Sequence, residues 1–351
     1  MKRTFALLAV ALCCMSAFAQ KLDKNEAKQL AAFLAQPAAE AQTNAQALGA
    51  SASNIAAIEG ITVENGHVTA IELKEKKLGG ALNLNGFSQL QKVDVSRNSL
   101  TSVNVTDCAV LTDFNASRNQ LSTATFASDP SLAKIQVYRN RLAEFDLSQL
   151  PNIETVNCSS NHLVSLNVSN SATLKTLNCQ SNHLESLNIQ DCTGLKNLYT
   201  GYNKLTSLNL TGVTKLANLN IDDNEITSLY VQGLPELNSF VCSDNHMTSL
   251  VMKDCNNLLD LVCSYNDLTS LTVEGCNNLL FVDASYNDLT QLSLSNQTFL
   301  QRVLVNNNQL QMLDLSFDPA LTYLNCRYNV ITDLRTIGDN QLSMIACQWN
   351  P

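Results

Sequence analysis

The chain has 351 residues, 45% of them hydrophobic, and a formal charge of -9 from 22 basic and 31 acidic side chains. That balance excludes an electrostatic nucleic-acid binder, which needs a basic surface to displace counterions. Charged residues make up 15% of the chain against roughly 25% in an average globular protein, and Asn, Ser, Thr and Leu fill the deficit, so the composition is unusual without being that of a disordered chain.

Residues 1–19 read as an export signal. Lys2 and Arg3 form a basic start, Phe5 to Met15 an apolar run, and Ala17-Phe18-Ala19 a small-residue cleavage site before Gln20. The run is shorter than the roughly 20 residues that cross a bilayer. A Sec-type signal and a secreted, periplasmic or cell-surface location are therefore expected, with no transmembrane span in the mature protein. Lipidation at Cys13 or Cys14 is the rival reading, but neither has Leu three positions upstream and a small residue just before it.

Residues 20–67 are expected to form a short helical cap and an entry hairpin. Asp23 and Glu26 make a capping-box pair ahead of Leu30, Ala31 and Leu34. Pro37 ends or kinks that helix, and an Ala-rich segment runs on to Gly49. Asn65-Gly66 then signals a tight hairpin turn.

Residues 68–351 repeat. Asn98, Asn119, Asn140, Asn161, Asn182, Asn203 and so on to Asn350 recur at a constant interval of 21. With that Asn as position 0, position −8 is Leu or Ile throughout, as in Leu90, Ile153 and Leu342, and positions −5 and −3 are apolar apart from Thr200. Apolar residues two apart on an extended segment point to one side, so −5 and −3 face inward and −6, −4 and −2 outward. Positions +2, +5, +7 and +10 restate the spacing of −8, −5, −3 and 0, as in Leu184, Leu187, Ile189 and Cys192. Each unit is thus two similar half-turns. The second half has no 3.6-residue spacing and carries an outward Ser column, including Ser165, Ser186 and Ser207, which predicts an extended second side. Pro130, Pro151, Pro235 and Pro319 all fall at +11, in the turn to the next unit, where no ladder donor is needed. The first unit, with Val68, Ile71, Leu73 and Leu78, diverges and places Lys76 or Lys77 where Asn is expected.

The pattern L-x-x-L-x-L/C-x-x-N-x-L resembles that of leucine-rich repeat proteins, and the nesting of two half-units is similar to the bacterial class called IRREKO. The resemblance implies a solenoid with a parallel β-sheet, an Asn ladder inside the turns, an N-terminal cap and a tendency to bind ligands. A solenoid end must be covered. The sequence stops at Trp349-Asn350-Pro351, half a repeat past the last full one, so either Trp349 closes that end or a partner does.

Chemistry-bearing residues fall into repeat columns. The ten Cys beyond the signal occupy only positions −3 and +10, where Val, Ala, Ile, Leu and Thr also stand. Small buried apolar side chains fit that substitution pattern. Disulfides between neighbouring coils, such as Cys158 to Cys179 or Cys255 to Cys276, stay open, although parallel in-register side chains suit them poorly. His162 and His183 share position +1 with Ser99, Gln120 and Lys204, which reads as a solvated turn column rather than a zinc site. No catalytic motif appears, and no cofactor or metal is expected.

Two columns point to binding. Positions −4 and −6 are polar in early repeats, with Asp94, Asn115, Asn157 and Asn178, and later become Val241, Val262, Phe281, Leu304, Tyr323 and Met344. Exposed apolar surface of that kind marks a contact site, here with Asp260, Asp283, Arg302 and Arg327 as its polar rim. A protein ligand is the first reading. Position −1 drifts from Arg97, Arg118 and Arg139 to Tyr265, Tyr286, Tyr328 and Trp349, which would suit stacking on a glycan, the second reading. Self-association through the final coil is the third. Acidic charge also concentrates late: residues 21–150 carry a net of -1 and residues 151–351 a net of -10.

Overall fold

The computed structural model describes residues 21–51 and 54–351. The expected export signal, with Cys13 and Cys14, lies outside the described residues. Among these, α1 spans Lys24–Leu34, α2 Asn44–Ala47, β1 Ile61–Glu64 and β2 His67–Glu72, and the remaining strands are mostly three to five residues long.

One sheet of fifteen strands runs the length of the molecule, opening with the antiparallel β1–β2 hairpin and continuing as parallel strands from Lys92–Asp94 to Met344–Ala346. Asn65 and Gly66, both at positive φ, form the hairpin turn. Strand after strand pairs in register with the one 21 residues on, as in Leu261 with Val282 and Val282 with Val303. The middle residue of each three-residue strand in this sheet is buried, except Ile345 in the last, and its two neighbours are mostly half-buried. Positions −5 and −3 therefore pack into the core, and −6 and −4 line the outer face.

Position −2 is outward in only part of the array: Arg327 and Gln348 are exposed, and Tyr138, Ser159 and Gln180 are half-buried. Ser96, Ser117, Ser243, Ser264 and Ser285 are buried. The strand ends at −4, and from Arg97 to Trp349 the residue at position −1 is in the left-handed conformation, which swings the chain inward. The same conformation recurs at +9, in Asp107, Asp191, Gly212, Asp254 and Gly275 among others. The nested half-units are thus two similar corners of one coil.

Inside the first corner the Asn side chain bonds to the backbone of two coils. Asn203 Nδ2 donates to Thr200 O at 3.0 Å in its own coil and to Cys179 O at 3.1 Å in the preceding one, and its Oδ1 accepts from Leu184 N at 3.0 Å. Asn140, Asn161, Asn182, Asn224, Asn245, Asn266 and Asn287 repeat the pattern. Buried backbone groups without such a partner would each cost about 1–3 kcal/mol.

The second side is extended but not continuous. Its strands form four short sheets, and the coils around residues 144–146 and 207–209 contribute no strand there. Clefts open at three places along this side, lined by Leu147 and Val168, by Leu208 and Leu229, and by Leu271 and Leu292. The first side keeps every strand paired while the second opens at these seams.

Helix α1 begins at Asp23, whose Oδ1 accepts from Asn25 N and Glu26 N. The reciprocal half of the expected capping box is not made. Glu26 is buried and turns instead to the hairpin, accepting from Val68 N at 2.8 Å and lying 3.0 Å from His67 Nδ1. Leu30, Phe33 and Leu34 join the core at the first coils, so the helix covers that end of the array. The four +11 prolines sit in turns. All ten described cysteines are free, and only Cys347 is exposed. Burial pushes the Cys108 and Cys179 thiols up to about 12, which leaves them protonated and unreactive at neutral pH. No described helix is long and apolar enough to cross a membrane.

Candidate binding face on the large sheet

Strand register sets the two outward columns. At −4 the order is Asn220, Val241, Val262, Asp283, Leu304, Asn325 and Ala346, and at −6 it is Ser239, Asp260, Phe281, Arg302, Tyr323 and Met344. All the apolar residues expected on this face are therefore on it. Val241, Val262, Phe281, Leu304 and Tyr323 are half-buried among neighbours, and Met344 is 58% exposed. They do not form one unbroken apolar strip, because Asp283 and Arg302 stand within the columns rather than at a rim.

Elsewhere the −4 residue has a local task. Asp94, Asn115, Asn157, Asn178 and Asn220 each accept from the amide two residues on, at 2.9–3.3 Å. This Asx turn satisfies a backbone donor as the strand ends. Asp283 does the same, taking Ser285 N at 3.0 Å and Ser285 Oγ at 2.6 Å. Val241, Val262 and Leu304 cannot. The coils that carry them give up a hydrogen bond that most other coils make, and they present an apolar side chain to the outside in its place. Folding alone does not favour that exchange.

At −6, Arg302 lies between two rings, its Cζ 5.6 Å from the centre of Phe281 and 5.4 Å from that of Tyr323. Among the described residues no carboxylate lies within 4.0 Å of it. Asp260 stands next to Phe281 one strand back. Arg327, at −2, is turned to the following coil, where its Nε donates to Gln348 Oε1 at 2.5 Å.

The aromatic turn column pairs off within itself. Tyr265 and Tyr286 stack at 4.3 Å between ring centres with planes 7° apart, and Tyr328 and Trp349 at 5.8 Å and 7°. Each ring gives one face to its neighbour, which leaves only the outer faces for a sugar. Trp349 is 71% exposed and stacks on Tyr328, so it does not close the last coil. Met344 and Ile345 of that coil are exposed as well. His162 and His183 are exposed, with ring centres 5.6 Å apart.

Sequence reasoning missed the part played by −4 Asn and Asp, although the signal was there in Asp94, Asn115, Asn157, Asn178, Asn220, Asp283 and Asn325. It also assigned Arg302 to a rim, because one column alone does not reveal which side chains flank it.

These features define a leucine-rich repeat solenoid. The solved structure of YopM from Yersinia enterocolitica is 24% identical, with a TM-score of 0.58 over 78% of this chain and 63% of that one. YopM from Yersinia pestis is 22% identical, with a TM-score of 0.57 over 74% and 78%. The internalin InlF from Listeria monocytogenes is 16% identical, with a TM-score of 0.53 over 81% and 91%. The chain thus spans less than two thirds of the first of these and most of the other two. At these identities the likeness is one of fold. No protein-family model matches the sequence, and no curated protein matches it.

Proposed function

We propose that this is an exported, noncatalytic binding protein whose late repeats hold a protein ligand on the large sheet. The observation that carries the reading is the exchange at −4: Val241, Val262 and Leu304 replace hydrogen-bonding Asn and Asp with apolar side chains, beside the rings of Phe281 and Tyr323. Contact sites gather apolar and aromatic anchors of this kind within a polar surround. The sheet is also continuous over fifteen strands, so a partner can meet several of them together.

The test uses a variant that improves the fold while removing the surface. Val241→Asn, Val262→Asn and Leu304→Asn restore the Asx bond, and each is expected to leave stability unchanged or raise it by about 0.5–1 kcal/mol in chemical denaturation. The mature protein and this triple variant are screened against surface proteins and polysaccharides. Binding of a protein by the parent and its loss in the well-folded variant is the expected result. Binding confined to glycans, or equal binding by the variant, overturns the reading.

A further inference from the structure

Three cations stand on the outward columns of the large sheet, and two are neutralised in the same way. Lys92 meets Glu72 on the preceding strand at 2.6 Å, and Lys134 lies 3.8 Å from Asp113, its register partner one strand back. The third, Arg302, has Phe281 at the equivalent place and Tyr323 on its other side. Rings attract a cation without consuming its hydrogen-bond donors. The two nearest acids do not supply acceptors. The Asp283 carboxylate is turned to Ser285, and Asp260 lies two strands from Arg302, about 10 Å by ordinary strand spacing. Arg302 is therefore a charge held in place by two aromatic rings, with its guanidinium donors unused among the described residues.

We propose that Arg302 is the anchor for a single carboxylate of the protein ligand, an Asp or Glu side chain within a segment whose neighbouring residues cover Leu304 and Met344. This rests on the sheet-face reading above and names the chemistry of its partner. The planar fork of a guanidinium matches a carboxylate with two parallel hydrogen bonds, and flanking rings exclude water from the pair. Asp260 repels a second acid on its side. The ligand segment is accordingly apolar with one acidic residue, and not an acidic run.

The probe is a library of random twelve-residue peptides displayed on phage through their C-terminal ends, which offers carboxylates only from side chains. Peptides selected on the parent are synthesised and measured on the parent, on Arg302→Gln and on the triple Asn variant. The selected peptides are expected to share one Asp or Glu. Changing that residue to its amide weakens binding to the parent by about tenfold or more and leaves binding to Arg302→Gln unchanged, the non-additivity of a direct pair. Peptides that need the apolar face but bind Arg302→Gln as tightly as the parent overturn this inference alone. Peptides that bind the triple Asn variant equally well overturn the face itself, and a library that yields no binder contradicts both. Matched unfolding curves for Arg302→Gln and the parent confirm that the exposed substitution leaves the fold intact.

Discussion

Replacing Asn203 with Ala is expected to destabilise the protein by about 2–3 kcal/mol. The substitution removes three donated bonds and one accepted bond. Thr200 O and Cys179 O keep a second donor, Asn224 Nδ2 and Asn182 Nδ2, so Leu184 N is the buried group left unpaired. An orphaned buried amide costs about 1–3 kcal/mol, the lost donated bonds add to it, and water entering the cavity left by the side chain reduces it. The site is central, with coils packed on both sides. Asn350→Ala should cost less, about 1 kcal/mol, because Asn350 is only half-buried and Cys347 O, one of its acceptors, belongs to an exposed residue. Urea unfolding of the two variants gives the comparison. Equal costs at the centre and at the last coil would contradict the ladder as a cooperative device. Because coils contact only their neighbours, the central variant is also expected to broaden the transition.

The second large effect concerns pH. Position +10 corresponds to the Asn position in the other half of the coil, and it holds Asp129 and Asp318, both buried. Asp318 Oδ1 accepts from Gln297 N at 2.7 Å, while Oδ2 has no partner among the described residues. Burial pushes its carboxyl up to about 7, with the Gln297 amide opposing and Asp339 adding to the rise. Burial likewise pushes Asp129 up to about 6, against the amide of Cys108. Both values lie above the ordinary 3.8. Between pH 3.8 and about 7, then, the folded protein keeps a proton at Asp318 that the unfolded chain has released. This group's contribution therefore falls as pH rises through that window. Asp318→Asn retains the acceptor for Gln297 N and removes the titration. It is expected to stabilise the protein at pH 8 by on the order of 2 kcal/mol and to have little effect at pH 4. Denaturant midpoints for parent and variant across pH 4–8 check this. Parallel curves over the whole range would show that the Asp318 carboxylate is solvated in the folded protein.

Most of the fold was legible because each coil restates the same constraints. Asn at 0, Leu at −8 and the paired apolar positions fix the register, and Asn65-Gly66 marks the entry turn. What the sequence hid depends on more than one coil or on the turn geometry. The inward swing at −2 follows from left-handed residues at −1, which are as different as Arg97, Asp244 and Trp349 and share no side-chain signature. The seams of the second side were invisible, since Phe145 with Leu147 and Leu208 with Leu210 keep the same apolar spacing as the paired coils. Glu26 read as half of a capping box because spacing shows only what lies within one turn, and its actual partners are 41 and 42 residues away. On the large sheet the −4 and −6 residues lie on the outer face as the spacing predicts, but the order within those columns mattered more. Arg302 gains its character from Phe281 and Tyr323 on the two adjacent strands.

The most direct test of the central claim is contact itself. A photoreactive benzoylphenylalanine placed at Leu304, on the large sheet, is compared with one at Ser186, on the outward column of the second side, each mixed with the tightest protein ligand from the binding screen. Crosslinking from position 304 and none from position 186 is the result expected if the late sheet face holds the ligand. Crosslinking from 186 alone would contradict it and place recognition on the other side of the solenoid.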